Sequence, residues 1–547
     1  MSRISAWIVW LALFIAMAAC EGPTASEDAS ATADAAHSEE MPAPDEATEE
    51  ESSEELDRME QFQQFVAVGR LDAQRGLLEK TEAATPGYVL SNPITSATTS
   101  LIDMDGQVVH TWTSELGISG GMYLRDNGNL FRSGMDPQAP VFGGGGQGGV
   151  FQEFTWDGEL VWEYYFNSEE YRPHHDVALL PNGNFLALAW ESKSVEEAIA
   201  LGRDPETIPV AGLWPDWIVE FKPVGSSEAE IVWEWHLWDH VVQEIDETKE
   251  NYGVVKDHSE LLDINAGHPP EPITQEELDQ RRAIGFTVTN STVENEGSDV
   301  YHTNAINYNA ELDQIAFSLS GLNEIVIIDH STTTEEAAGN TGGRWGKGGD
   351  FLYRWGNPAN YGRGDESDER LGGQHDVRWI PDGYPGAGNL TVFNNNTPGV
   401  GPAKSAVFEL ETPLTDSGYS MNDSGAFGPE EPVWQYIAEN PMQFFSPFVS
   451  GAHRMPNGNT FVTEGAAGRY FEIDRDGNVV WNYMTPYAGY IRNPDGTRPH
   501  PVGPLVYASF RATHIPANHP ALAGRDLKPF DPQPPAYVPP EQPASAE

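Results

Sequence analysis

Three histidines of this chain stand at one spacing from a turn signal. His175 lies seven residues before Asn182-Gly183, His302 seven before Asn309-Ala310, and His375 seven before Asp382-Gly383. Imidazole can attack an electrophile, pass a proton or ligate a metal near neutral pH, so three that converge would make a site. Three neutral imidazoles can also hold zinc with one open position, although no carboxylate or cysteine joins them at the same offset. The plainer reading is that histidines at strand ends only bond neighbouring backbone. The shared register weighs against it.

The elements that carry these histidines are hairpins. In Gly373 to Asn396, GQHDVRWIPDGYPGAGNLTVFNNN, an alternating strand pattern runs into a Pro-Asp-Gly turn, and a second strand ends in an Asn cluster. The same turn phrase occurs as MYLRDNGNLF (Met122 to Phe131), ALLPNGNFLAL, NYNAELDQIAFSL and RMPNGNTFVTE. Between these phrases fall strands that close on tryptophan or its neighbours, at Trp112, Tyr164, Trp235, Trp355, Tyr436 and Tyr483. Six tryptophan strands and five turn phrases leave one phrase missing. The segment Val502 to His514 supplies it if it pairs with the N-terminal hairpin that ends at Trp112.

Repeats completed from opposite chain ends predict an all-β fold, a six-bladed β-propeller closed by pairing of N- and C-terminal strands. Pro86 to His514 allows roughly 70 residues per blade, longer than the commonest blades. The surplus falls at His236 to Asp299 and Thr332 to Gly349. In a propeller, residues at one offset from the turn occupy equivalent places around the axis, so His175, His302 and His375 converge. Gly120 and Ser450 take that place in two other phrases, which leaves the ring uneven and one side open. Asn304, two residues beyond His302, shares its strand face. His453 is four before Asn457 and has the opposite parity.

With 54 Gly, 41 Pro and 11% aromatic residues, the composition suits short strands and tight turns. A net charge of −54 repels nucleic acid and anionic membranes and acts first as a solubility device. The N-terminus, residues 1–20, reads as a lipoprotein-type export signal: Arg3, an apolar run from Ile4 to Ala16, then Met17-Ala18-Ala19-Cys20. It implies lipidation at Cys20 and an extracytoplasmic, lipid-anchored protein, at the outer membrane or in the periplasm. Cys20 is the only cysteine, which excludes an intrachain disulfide. Residues 21–57 read as an acidic disordered tether, 58–85 as a helical lead-in, 86–514 as the propeller and 515–547 as a Pro-rich tail.

Two further patterns resolve into bland readings. His236 and His240 have i, i+4 spacing but lack a zincin glutamate, so they are surface or packing residues. Asp- and Asn-rich phrases that resemble calcium loops sit where hairpins need such residues in turns.

GGDFLYRWGNPANYGRG (Gly348 to Gly364), GQHDVRWIPDG, VYHTNAINYNAELDQIAFS and SGAHRMPNGNTFVTEG resemble the bacterial arylsulfate sulfotransferases, over roughly Pro86 to His514. The resemblance implies a six-bladed propeller that moves a sulfuryl group from a phenolic sulfate ester to a phenol, without a nucleotide sulfate and with no cofactor or metal. It implies that His375 carries the group between half-reactions. His302 and Asn304 match the family's His-x-Asn pair beside the sulfate, and His175, favoured over His174 by the turn spacing, matches a further active-site histidine. One departure is that Ala316 to Glu324, AFSLSGLNE, has no arginine where family members place one. Arg511 in the closing FRATH strand is the candidate replacement. The rival readings are an aryl sulfate hydrolase and a non-catalytic propeller that binds an aromatic or glycan ligand.

Overall fold

A computed structural model describes residues 73–267, 273–283, 291–295, 297–398, 404–440, 443–489 and 504–538. The turn phrases fold as expected from their chemistry. Gly183 takes φ +92°, a conformation cheap only for glycine, and Asn182 Oδ1 accepts the Asn184 N–H at 2.9 Å to tighten the turn. The phrase after His302 lacks glycine. There Asp313 takes the left-handed position at φ 53°, where a short polar side chain is tolerated.

Six antiparallel sheets result, each the blade of a propeller, and each is ordered from an inner strand outward. Blade 2 begins with Ile118–Leu124, blade 3 with Tyr171–Leu179, blade 4 with Thr303–Asn309, blade 5 with His375–Trp379 and blade 6 with Gly451–Arg454. The inner strand of blade 1 is Ala512–Pro516 from the C-terminal segment, and it pairs with Gly87–Ser91. The predicted closure is therefore present.

A second closure was not foreseen. Gly76–Lys80 adds a fifth strand to the outer edge of blade 6 by pairing with Val479–Met484. The lead-in expected to be helical over 58–85 is thus a strand at Gly76–Lys80. Its partner edge offered unpaired backbone groups that outweigh a local helical pattern. The residues before Ala73, which include the export signal, Cys20 and the acidic tether, lie outside the described residues. Beyond Pro516 the chain lies along the body: the Phe530 N–H donates to the Val108 carbonyl at 2.9 Å, and Tyr537 N–H to Pro486 at 2.8 Å.

The outer strands explain why tryptophan recurs. Trp112 donates its indole N–H to the Thr155 carbonyl of blade 2, and Trp162 of blade 2 to Glu228 of blade 3. Trp235 then donates to Gly349, Trp355 to Pro429, Trp434 to Arg475, and Trp481 to Met104 back in blade 1. Each acceptor stands at or just ahead of the fourth strand of the next blade, so the indoles form a belt that closes on itself. Between the blades the faces are apolar. Val89 and Ile102 of blade 1 meet Phe461, Tyr470 and Trp481 of blade 6, all fully buried. Among the described residues no helix is long and apolar enough to cross a membrane.

Candidate active site

At the inner strands the repeat gives way to irregularity. The pairing of each site-bearing inner strand slips beside its histidine: between Ala187 and Leu188 in blade 3, Thr303 and Ile306 in blade 4, and His375 and Arg378 in blade 5. His175 and His302 both sit at φ 49°. A left-handed conformation in a non-glycine residue costs on the order of 1–3 kcal/mol and persists only where the surroundings hold it. Here the His175 N–H donates to the Gly146 carbonyl at 2.7 Å, and His302 N–H to Asp299 at 3.1 Å. In blade 5 the left-handed residue is Asp376, one position after the histidine. Such bulges re-aim side chains, so the shared register alone does not fix where each ring points.

The three predicted histidines are brought together. The His175 and His302 rings meet edge to face with centroids 4.6 Å apart, and Phe510 lies 6.0 Å from His175 and 6.4 Å from His375. The side expected to be open is filled. A Cβ on Gly120 would fall 1.5 Å from the His175 carbonyl oxygen, so backbone packs where a side chain was missing. Among the described residues no three His, Cys, Asp or Glu side chains are grouped as metal ligands.

His375 is held in one tautomer. Asn395 is fully buried, and its Nδ2 donates to the carbonyls of Ser446 at 2.8 Å and Val449 at 2.9 Å. Its Oδ1 therefore faces His375 Nδ1 at 2.8 Å, and the Gly373 carbonyl lies 2.9 Å from the same nitrogen. Two acceptors require Nδ1 to carry the proton, which leaves Nε2 with a bare lone pair. Burial pushes the imidazole pKa down to about 3, so this neutral form persists.

His302 is the opposite case. Its Nδ1 lies 2.6 Å from Asp299 Oδ2. Burial opposes charge on the ring, but Asp299 outweighs it and raises the His302 pKa; His302 in turn draws Asp299 below its usual range despite burial. His175 is held well below the ordinary range, first by burial and then by the neighbouring imidazoles. The ring of sites thus contains one histidine poised as an acid and two held neutral.

Asn304 is fully buried and its Nδ2 donates to the Gln374 carbonyl at 2.8 Å, so the structure engages it with the backbone that leads into His375. Arg511 lies at the axis. Its Nη1 donates to Asp176 at 2.8 Å and its Nε stands 2.9 Å from Asp376, while Nη2 has no hydrogen-bond partner among the described residues. Burial works against the guanidinium, but the two carboxylates more than offset it and keep it charged. Tyr123 donates to Asp176 at 2.8 Å and Arg378 to Asp376 at 2.5 Å, so carboxylates and guanidiniums alternate from Asp176 through Arg511 and Asp376 to Arg378.

The sequence held signals for the charged residues as well. Asp176 and Asp376 directly follow ruler histidines in HHDV and QHDV, and Arg511 lies seven before Asn518, the same spacing as the histidines. Those signals were available. By contrast His240, buried with Nδ1 on Asp350 at 2.9 Å and Nε2 on the Ala337 carbonyl at 2.8 Å, is the packing residue expected.

A six-bladed propeller whose axis ends in a cluster of imidazoles, one with a bare nitrogen and one beside a carboxylate, is a propeller equipped for group transfer at its centre. Residues 79–485 match the family model of the arylsulfotransferases (ASST), and the chain belongs to that family. Its activity at that level is arylsulfotransferase activity. No curated protein matched. Solved structures that align include a protein of unknown function from Bacteroides caccae at 12% identity and TM-score 0.38, covering 79% of this chain and 99% of that one. A putative 6-phosphogluconolactonase from Bacteroides fragilis aligns at 11% identity and TM-score 0.34, over 80% and 99% of the two chains. A catalytically inactive virginiamycin B lyase from Staphylococcus aureus aligns at 10% identity and TM-score 0.32, over 75% and 88%. These likenesses are too distant to carry an argument about chemistry.

Proposed function

We propose that the protein moves a sulfuryl group from a phenolic sulfate ester to a phenol acceptor by a ping-pong route through a sulfohistidine at His375. The observation that carries this reading is the tautomer of His375, set by Asn395 and the Gly373 carbonyl. In the first half-reaction Nε2 attacks sulfur, the ester S–O bond breaks, and protonated His302 gives its proton to the departing phenolate. Asp299 lies 2.6 Å from Nδ1 and so keeps the ring protonated, with the Nε2 proton the one to be given. In the second half-reaction the acceptor oxygen attacks the same sulfur, the N–S bond breaks and its electron pair returns to His375. Splitting one transfer into two displacements is nucleophilic catalysis, and placed donors around the sulfuryl oxygens supply the rest. Asn304 serves the site by holding Gln374, and with it the approach of His375.

The test is incubation of the full chain with 4-nitrophenyl sulfate, with and without phenol, followed by intact mass. Phenol-dependent nitrophenolate release, with a sulfuryl adduct that disappears in His375→Ala, is the expected result. Sustained release without phenol, beyond one equivalent per protein, would make the protein a hydrolase. No release and no adduct across a panel of aryl sulfates would leave a ligand-binding propeller. We also place the protein outside the cytoplasm on a lipid anchor at Cys20, because of the export signal; Cys20→Ser should then abolish lipid labelling and release the protein from membranes.

A further inference from the structure

We infer that Asp216 and His174 are positioning residues that, with His175, form a proton relay serving the acceptor half of the reaction. This inference rests on the sulfuryl-transfer reading above.

Consecutive residues of a strand point to opposite faces. The left-handed bend at His175 breaks that rule and brings His174 Nδ1 within 2.9 Å of His175 Nδ1. Only one proton fits between two imidazole nitrogens, so the states of the two rings are linked. On its far side, His174 Nε2 lies 3.1 Å from Asp216 Oδ1, at ion-pair distance though without the alignment of a linear hydrogen bond. Asp216 comes from the third strand of the same blade, Asp216–Val224, and is 1% exposed. His174 stacks on Trp190 with ring centroids 4.3 Å apart, which fixes its plane. A buried carboxylate without a partner is costly, and His174 is the ring that faces Asp216 at ion-pair distance. His175 Nε2 remains. A Cβ on Gly146 would lie 2.4 Å from it and as close to Cδ2 and Cγ, so the glycine leaves room for the ring.

The two half-reactions need opposite proton chemistry, and the site holds two differently built histidines. His302 touches a carboxylate directly and starts with a proton to give. His175 is neutral and reaches its carboxylate through a second imidazole, which suits it to receive one. As the acceptor attacks, its hydroxyl proton passes to His175 Nε2, the Nδ1 proton of His175 passes to His174 Nδ1, and His174 keeps its Nε2 proton toward Asp216. The new O–S bond forms while the N–S bond to His375 breaks, and no other reactant is consumed. The proton returns to His302, whose ring lies edge to face with His175 at 4.6 Å between centroids, before the next cycle.

The experiment separates the halves with full-length Asp216→Asn and His174→Gln. 4-Nitrophenyl sulfate without acceptor should give a nitrophenolate burst with a rate within about twofold of wild type. A chase with phenol should be slowed on the order of 10²-fold, the scale of lost general-base catalysis. A chase with pentafluorophenol, already ionised at neutral pH, should be slowed far less. The ratio of the two chase rates is internal to each preparation and does not depend on how much of a variant has folded. Burst and chase falling together, or equal losses with both acceptors, would overturn the relay and leave a structural role. A wild-type protein without any burst would overturn the transfer mechanism itself.

Discussion

The outer and inner strands of the blades use one repeat in opposite ways. On the outside each blade sets an indole N–H on a carbonyl of the next, from Trp112 to Thr155 round to Trp481 and Met104. At the axis the equivalent position is His175, His302 or His375 in three blades, Gly120 in blade 2 and Ser450 in blade 6, and no two are held by the same partners. Where every blade repeats the same contact, the fold closes. Where the blades differ, chemistry becomes possible, because one imidazole can be made acidic while another is kept neutral a few ångströms away.

The comparison breaks most sharply if the axis is mutated. His375→Ala should lower nitrophenolate turnover by at least ~10³-fold while the thermal midpoint stays close to wild type, since the loss removes a reacting group and not a blade contact. A large fall in the midpoint would show that the axis also carries the fold. The converse change belongs to the belt. Trp481 is fully buried, and Trp481→Ala should cost about 3–5 kcal/mol in denaturant unfolding while turnover per folded molecule is unchanged.

Charge at the axis sharpens the contrast further. Because Asp299 raises the His302 pKa, the acid form survives above the ordinary value of about 6.5 and is lost as pH rises through the raised value. The first half-reaction should therefore fail on the alkaline side, and Asp299→Asn should move that limb to lower pH and cost roughly tenfold near neutrality. An unmoved limb in the burst-rate profile would remove His302 as the acid. For stability the neutral histidines matter instead. Burial pushes His375 down to about 3 and His514 to about 4, so the unfolded chain binds protons that the fold refuses. Stability should fall as pH drops below about 6.5 toward 4, and melts across that window would check it. The smallest effect is expected at the partly exposed end of the belt, where Trp434→Phe removes one hydrogen bond and should cost about 1 kcal/mol or less.

The sequence by itself determined the blade count, the closing strand from the C-terminal segment, and the gathering of His175, His302 and His375. These follow from local rules: turn residues that accept left-handed backbone, alternation along strands, and a constant spacing between them. The tautomer of His375 needed Asn395 aimed by Ser446 and Val449, which are more than fifty residues away in the chain. The pairing of Asp176 with Asp376 across Arg511 joins blades 3, 5 and 1, and Gly76–Lys80 became a strand only because blade 6 presented an edge. Such contacts arise from bulges and from the meeting of distant strands, and no local pattern encodes them. The sequence placed the imidazoles around one axis; the tertiary structure decided which of them holds a proton.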